Sequence, residues 1–130
     1  MLRSNFMKKT LAVAGAAALF GAGIVIGANK FGTPKSVLHV ITMQWKDGVT
    51  ADQKKLAIDG LEKMAAGTPG ITNIWIKTLK VQPQTYNNVF AIEFKDDAAF
   101  KAYTEAPSHK EWEAIYLPLR GQSTTHDVTN

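Results

Sequence analysis

Cysteine is absent from the 130 residues of the chain. This absence excludes disulfide bonds, thiolate metal sites, iron–sulfur clusters and a cysteine nucleophile. The sequence also lacks a His-x-x-x-His pair, the nucleophile elbow of serine hydrolases, a Walker loop and a dinucleotide-binding glycine fingerprint. Its length suits one domain with a modest core. Metal-dependent and nucleotide-dependent chemistry therefore has no support in the sequence, and we expect no cofactor.

Excess charge is scarce outside the first 28 residues. The formal net charge is +4, but Arg3, Lys8 and Lys9 belong to an N-terminal stretch without acids, so residues 29–130 carry a net charge of only +1. A nucleic-acid-binding surface needs a cluster of Lys and Arg that neutralises several phosphates. The sequence therefore predicts no nucleic-acid partner.

Residues 1–28 have the pattern of an export segment. A positively charged start is followed by nineteen uncharged residues from Thr10 to Ala28, which are rich in small and aliphatic side chains and end on small ones. This is the pattern of a cleavable signal peptide. Because the run is also long enough to cross a bilayer, the alternative is an inner-membrane anchor formed by residues 10–28. If the segment is not cleaved, it is the only expected contact with a membrane.

Both alternatives predict that the rest of the chain is exported, to the periplasm or the extracellular space, since the Lys8-Lys9 end stays inside. Translation from Met1 and translation from Met7 both remain open. Residues 29–36 are predicted to be a linker, and residues 37–130 are predicted to form the globular domain.

The apolar patterning of this domain predicts the order β-α-β-β-α-β. Strands are expected at residues 37–46, 71–81, 86–95 and 122–129. A capping box of Thr50 and Gln53 predicts the start of the first helix. The second crossover is divided by Pro107 into a helix capped by Asp96, running through Ala106, and a helix from about residue 108 to 117.

This order predicts an α+β, ferredoxin-like (split βαβ) fold, in which a four-stranded antiparallel sheet carries its helices on one face. The first strand is apolar on both sides, with Ile41 and Met43 on one and Leu38 and Val40 on the other. A strand of this kind is covered on both faces. We therefore expect a second copy of the chain on the open face of the sheet.

His39 interrupts an otherwise apolar face of the first strand. A buried imidazole without a hydrogen-bond partner costs about 1 kcal/mol or more. Two interpretations remain open: a core histidine bonded to a neighbouring group, or a polar group that faces a pocket. His126 lies beside Asp127 on the last strand, but adjacent strand residues face opposite sides and are not expected to pair.

His109 is predicted at the first position of the last helix, within a capping box of Ser108 and Glu111. The positive end of a helix disfavours an imidazolium, and a neutral imidazole can act as a general base. Tyr103 precedes it by six residues, and the break at Pro107 can bring both rings to one spot, where a phenol can donate to a developing oxyanion. The alternatives are plain packing for Tyr103 and, for His109, a hydrogen bond to the end of the preceding helix.

Several segments together resemble the stress-responsive A/B barrel (Dabb) family. They are VLHVITMQWKDGVT at residues 37–50, Pro69-Gly70-Ile71, VFAIEFKDDAAFKAY at residues 89–103, the motif Tyr103-x-x-x-Pro107-x-His109, and a last strand that contains Asp127. The resemblance covers about Ser36 to Val128. It implies a dimeric α/β barrel, formed by two ferredoxin-like domains that meet through their sheets.

The resemblance also implies a kind of site. Some family members are polyketide cyclases that need no metal or organic cofactor, with a histidine of the first strand in the pocket and a tyrosine–histidine acid/base pair around the proline. His39, Tyr103 and His109 occupy the matching positions. The chain departs from the family at Ala106, where the motif often has histidine, and at Asn88, where some cyclase-type members have another.

We therefore expect His39, Tyr103 and His109 to be catalytic, with His109 as the base. The residues expected to line an apolar pocket around them are Ile41, Met43, Phe90, Ile92 and Trp112. The function implied is cofactor-independent, cyclase- or lyase-like acid/base chemistry on a small hydrophobic carbonyl compound. The alternative is a non-catalytic, stress-related dimer that binds a small hydrophobic ligand or is purely structural. A cofactor-free monooxygenase or haem-handling relative is a third possibility, on fold analogy alone.

Overall fold

Seven elements follow one another in residues 32–130, the part of the chain that the computed structural model describes. They are β1 (Val37–Trp45), α1 (Ala51–Gly67), β2 (Ile71–Trp75), β3 (Asn88–Phe94), α2 (Asp97–Glu105), α3 (Pro107–Tyr116) and β4 (Arg120–Val128). The predicted export segment, residues 1–28, lies outside the described residues. Within residues 32–130, no helix combines the length and apolar character needed to cross a bilayer.

The four strands form one antiparallel sheet in the order β2-β3-β1-β4. The first and third strands in the chain are therefore the central ones, as a split βαβ arrangement requires. Side chains of β1 and β3 that face the helices are buried, among them Ile41, Met43, Phe90 and Phe94. The predicted fold, a ferredoxin-like sheet with helices on one face, is confirmed.

Two of the predicted helix starts are confirmed by their caps. The Gln53 amide donates to the Thr50 hydroxyl at 3.2 Å, and the Thr50 amide donates to the Gln53 side chain at 2.9 Å. The Asp96 carboxylate accepts a hydrogen bond from the Ala99 amide at 2.8 Å, which starts α2. Each cap satisfies backbone donors that have no partner inside the helix.

The third helix starts differently from the prediction. It begins at Pro107, with Ala106 as N-cap and no side-chain cap. Proline suits this first position because its φ is already helical and it has no N–H to satisfy. The Ser108 hydroxyl is 2.6 Å from the hydroxyl of Thr68 at the end of α1, so it does not form the predicted capping box. His109 is consequently the third residue of α3 and not the first.

The second strand is shorter than predicted, ending at Trp75 instead of residue 81. Beyond it, the side chain of Thr78 takes the place of a backbone partner for β3. The Val89 amide donates to the Thr78 hydroxyl at 2.8 Å, and this hydroxyl donates to the Val89 carbonyl at 3.0 Å. The chain thus follows the edge of β3 without forming a regular ladder.

Candidate functional site

A cavity of about 210 Å³ lies between α2 and α3 on one side and β1 and β4 on the other. His39 and Ile41 of β1 and Thr125 of β4 lie along its sheet side. Tyr103 of α2 and His109 of α3 line it from the helical side. The structure therefore brings His39, Tyr103 and His109, which are up to 70 residues apart in the sequence, to one cavity.

The His39 imidazole is held by Asp127. The two residues are directly opposite each other on β1 and β4, and Nδ1 of His39 is 2.6 Å from Oδ1 of Asp127. An ionised carboxylate only accepts hydrogen bonds, so Nδ1 is the donor and Nε2 is left to accept or give a proton. The His39 side chain is 15% exposed. Both interpretations of His39 from the sequence therefore apply, because the imidazole has a polar partner and also lies on the cavity wall.

The Asp127 contact was missed by the sequence analysis. His126 was compared with Asp127 because the two are adjacent, and in the structure His126 is opposite Val40, on the other face of the sheet. The partner of Asp127 comes instead from a strand 88 residues away. Predicting this contact requires the register of β4 on β1, and the register depends on where each strand begins.

The rings of Tyr103 and His109 are in contact, with centroids 4.0 Å apart. The Tyr103 side chain is buried, and its hydroxyl has no hydrogen-bond partner among the described residues. Burial raises the pKa of Tyr103 far above its ordinary value, and the nearby negative charges of Glu113 and Asp127 raise it further. Tyr103 therefore keeps its proton at neutral pH and can donate a hydrogen bond.

His109 has two weak polar contacts. Its Nδ1 is 3.4 Å from the Thr104 carbonyl at the end of α2, and its Nε2 is 3.5 Å from the Glu113 carboxylate one turn further along α3. The first contact corresponds to the structural alternative given for His109 from the sequence. The second was not foreseen, although a spacing of four residues places Glu113 on the same side of the helix.

Only two of the five predicted pocket residues, Ile41 and Trp112, line the cavity. The structure places Met43, Phe90 and Ile92 in the core instead, at 0–3% exposure. Phe90 and Ile92 belong to β3, which is separated from the cavity by β1. The prediction treated every residue on the helix-covered face as part of one pocket, whereas the packed core occupies most of that face.

Tyr116 and Arg120 lie together on the cavity wall. The Arg120 guanidinium is 5.5 Å from the centre of the Tyr116 ring, and the Tyr116 hydroxyl is buried without a partner among the described residues. Burial raises the pKa of Tyr116 to about 12, although the positive charge of Arg120 acts in the opposite direction. Neither residue was singled out from the sequence.

The chemistry that this wall can perform is proton transfer. It combines an oriented imidazole, a second imidazole and two un-ionised phenols around a small hollow. In residues 32–130, no three His, Asp or Glu side chains group together as metal ligands do.

Comparison with known proteins agrees with the fold. A family model described as the stress responsive A/B barrel domain (Dabb) matches residues 37–130. The chain belongs to this family. The resemblance seen in the segments around His39 and in the Tyr103–His109 motif is thereby confirmed. No curated protein is significantly similar to the chain in sequence.

Three solved structures are similar to this family member. A dimeric ferredoxin-like protein of unknown function from Thermobifida fusca is 23% identical, with a TM-score of 0.65 over 78% of this chain and 97% of that one. A hydroxynitrile lyase from Passiflora edulis is 14% identical, with a TM-score of 0.67 over 73% and 93%. A cofactor-independent oxygenase from Streptomyces nogalater is 14% identical, with a TM-score of 0.60 over 74% and 93%. At these low identities, the TM-scores show a shared fold alone.

Proposed function

We propose that this protein is an enzyme that performs acid/base chemistry on a small carbonyl compound, using its side chains alone. The observation that carries the proposal is the His39–Asp127 pair, 2.6 Å apart, on the wall of a cavity that Tyr103 and His109 also line. A histidine ordered by a carboxylate is a common way to position a general base. The fold is also that of a hydroxynitrile lyase and a cofactor-independent oxygenase.

In the proposed step, Nε2 of His39 removes a proton from the carbon next to the carbonyl group. The C–H bond breaks, the proton goes to His39, and the electron pair moves into the enolate, whose oxygen becomes negative. Tyr103, which keeps its proton because its pKa is raised, donates a hydrogen bond to that oxygen. A bound carbonyl oxygen also supplies the partner that the Tyr103 hydroxyl lacks among the described residues.

His39 thus has the role of base that the family resemblance gives to His109. The reason is that His39 has a short hydrogen bond to a carboxylate, while both polar contacts of His109 are 3.4 Å or longer. In this proposal His109 supports the Tyr103 ring, on which it packs. It is a positioning residue, and its loss changes the orientation of the phenol.

The size of the cavity restricts the substrate. A volume of about 210 Å³ corresponds to roughly seven water molecules at about 30 Å³ each, and it is below the roughly 300–1,000 Å³ of drug-sized pockets. The proposed substrate is therefore a ketone or aldehyde whose carbonyl end fits this volume.

Exchange of hydrogen for deuterium next to a carbonyl group tests this step directly. We expect the full chain to exchange the α-protons of cyclohexanone in D₂O faster than buffer does, as followed by proton NMR. Replacing His39 with Gln should slow this exchange by roughly 100-fold or more, because general bases contribute that much. His109→Gln should slow it less than His39→Gln.

The control is Lys54→Gln, because Lys54 lies on the exposed side of α1, away from the cavity and from the outer face of the sheet. It should leave the rate unchanged. An exchange rate in the parent equal to that of buffer, or an unchanged rate in His39→Gln, would contradict the proposal. Binding of cyclohexanone without any exchange would favour the second function, a non-catalytic module that holds a small apolar molecule.

We further propose that the chain forms a homodimer through the outer face of the sheet. Leu38, Val40 and Ala91 lie at its centre, and Trp75 and Val128 on the same face are about half exposed. Contiguous apolar surface of this kind is typical of an interface. Sedimentation at micromolar concentration should give a dimer, and Val40→Glu should give a monomer, while Leu56→Glu on the exposed side of α1 should not.

We also propose that residues 1–28 export the protein. Their charge and apolar patterning supports this. Fractionation of cells should find the chain outside the cytoplasm, and mass spectrometry of its N-terminus distinguishes a cleaved signal from an anchor. A full-length chain in the cytoplasm would contradict export.

A further inference from the structure

A β-bulge turns the first residue of β4 toward the cavity. From Ser123 onward, the odd-numbered residues of β4 pair with the residues of β1 that face the helices. Regular alternation would place Gly121 on that side and Arg120 on the outer face. The register shifts between the pairs of Met43 and Trp45, however, and Trp45 is opposite Arg120. The extra residue in β4 therefore brings Arg120 to the cavity side, as bulges near functional sites commonly do.

The guanidinium that the bulge presents is not used by an acid of this chain. Among the ion pairs of residues 32–130, none includes Arg120. Its contacts are with Tyr116, whose ring centre is 5.5 Å from the guanidinium carbon. A guanidinium has five N–H donors, more than this one neighbour uses. A planar guanidinium fork is suited to a carboxylate.

Asp127 holds His39 at the other end of β4 from Arg120, and its negative charge repels a carboxylate from this imidazole, which favours one orientation of a charged ligand. Glu113 lies on α3 between His109 and Tyr116, 3.5 Å from His109. Along α3, His109 and Tyr116 are seven residues apart, about 10 Å at 1.5 Å per residue. Ile41 and Trp112 provide an apolar wall for the body of the ligand.

We infer that the cavity takes a linear keto acid, whose carboxylate binds Arg120 while its ketone, at the other end of the chain, lies between His39 and Tyr103. The inference rests on the proposed function for the ketone end, and on the bulge and the free guanidinium for the carboxylate end. Arg120 is then the residue that determines specificity, because it separates charged from neutral ketones of the same shape.

Two probes that differ only in charge test the inference. The full chain is titrated with 7-oxooctanoate and with 7-oxooctanamide, whose ketone and carboxyl groups are far enough apart to span the two ends of the cavity, near pH 7, and each Kd is measured by calorimetry. We expect the carboxylate to bind about tenfold tighter, the factor expected of a hydrogen-bonded charge pair. Arg120→Gln should remove this preference and Arg120→Lys should keep part of it. The control Lys54→Gln, an equal change of charge on the exposed side of α1, should keep all of it.

Equal binding of the two probes by the parent would overturn the inference, and so would a preference that persists in Arg120→Gln. If Arg120→Gln does not fold, as judged by circular dichroism, the carboxylate preference of the parent compared with that of Arg120→Lys still tests the inference. The exchange assay separates this result from the proposed function. A carboxylate preference without exchange of cyclohexanone means that the anion site exists and the proposed chemistry is wrong, whereas exchange without a preference means the reverse.

Discussion

The helices pack on the sheet in two different ways. Between α1 and the sheet the packing is solid, with Leu61 and Met64 at most 2% exposed. Toward α3, α1 borders a groove of about 210 Å³, where the Trp112 indole N–H donates to the Ala57 carbonyl at 3.0 Å. Under α2 and α3, next to β4, the same layer is interrupted by a cavity that is open to solvent, and the hydroxyls of Tyr103 and Tyr116 have no partners among the described residues. One side satisfies its buried polar groups and the other does not.

This difference indicates that the unpartnered hydroxyls next to the cavity lower the stability of the fold. A buried polar group without a partner costs about 1–3 kcal/mol, and native proteins keep few of them. Both orphan hydroxyls of residues 32–130 belong to residues that line the cavity with the two imidazoles, Tyr103 and Tyr116, and both hydroxyls are themselves buried. Trp112 separates the two regions, because its N–H bonds α1 while its ring lines the cavity.

The largest effect is expected on the solid side. Leu61→Ala should lower the free energy of unfolding by about 2–5 kcal/mol, since it leaves a void in a packed core. Leu56→Ala is the matched control, being the same substitution in the same helix at a side chain that is 58% exposed, and it should change stability by less than about 1 kcal/mol. Urea unfolding measures both. Similar values for the two variants would show that α1 does not cover a solid core.

A smaller effect is expected on the hollow side at alkaline pH. The pKa of Tyr116 is about 12 in the folded chain against an ordinary value of 10.0, so the unfolded chain loses this proton first. The contribution of Tyr116 to stability is complete below pH 10 and decreases as the pH rises toward 12, by roughly 2 kcal/mol in total. The pKa of Tyr103 is raised too, so it acts in the same direction.

Urea unfolding at pH 9 and at pH 11.5 measures this loss, and Tyr116→Phe is the comparison. The variant should lose less stability than the parent over this range, because it has one fewer phenol to ionise on unfolding. Lysines and other groups titrate equally in both proteins and cancel. Equal losses in the two proteins would mean that Tyr116 is not buried as the cavity geometry requires.

Local signals in the sequence predicted most of the fold. The caps at Thr50 and Asp96 depend on residues within three positions of each other, and they fixed the starts of α1 and α2. The start of α3 was wrong because the Ser108 hydroxyl bonds Thr68, 40 residues away, a contact that no local pattern contains. β2 was predicted too long because a side chain, Thr78, replaces the backbone ladder.

The site divides in the same way. Tyr103 and His109 were found because a short motif joins them across Pro107, and the structure puts their rings in contact. The contact of Asp127 with His39 and the place of Arg120 on the cavity wall were not predicted, since they depend on the register of β4 and on its bulge. A one-residue shift reverses which side of a strand a residue faces. Alternation alone would therefore have placed Arg120 on the wrong face.

The smallest effect is expected at the orphan hydroxyl itself. Tyr103→Phe removes a group that makes no hydrogen bond within the described residues, so the free energy of unfolding should stay within about 0.5 kcal/mol or rise by up to about 1 kcal/mol. Thr68→Val is the counterpart on the solid side, where the hydroxyl donates to the Met64 carbonyl at 2.7 Å and contacts the Ser108 hydroxyl at 2.6 Å. That variant should lose about 1–3 kcal/mol.

The two variants together decide whether the cavity is a site or a packing defect. If Tyr103 serves only the fold, its hydroxyl is bonded in solution by a group that belongs to the structure, and Tyr103→Phe destabilises the protein as much as Thr68→Val does. If the hydroxyl forms its hydrogen bond only with a bound ligand, Tyr103→Phe is as stable as the parent but exchanges the α-protons of cyclohexanone more slowly. Unchanged stability together with unchanged exchange would remove Tyr103 from the proposed chemistry, and with it the donor that stabilises the enolate.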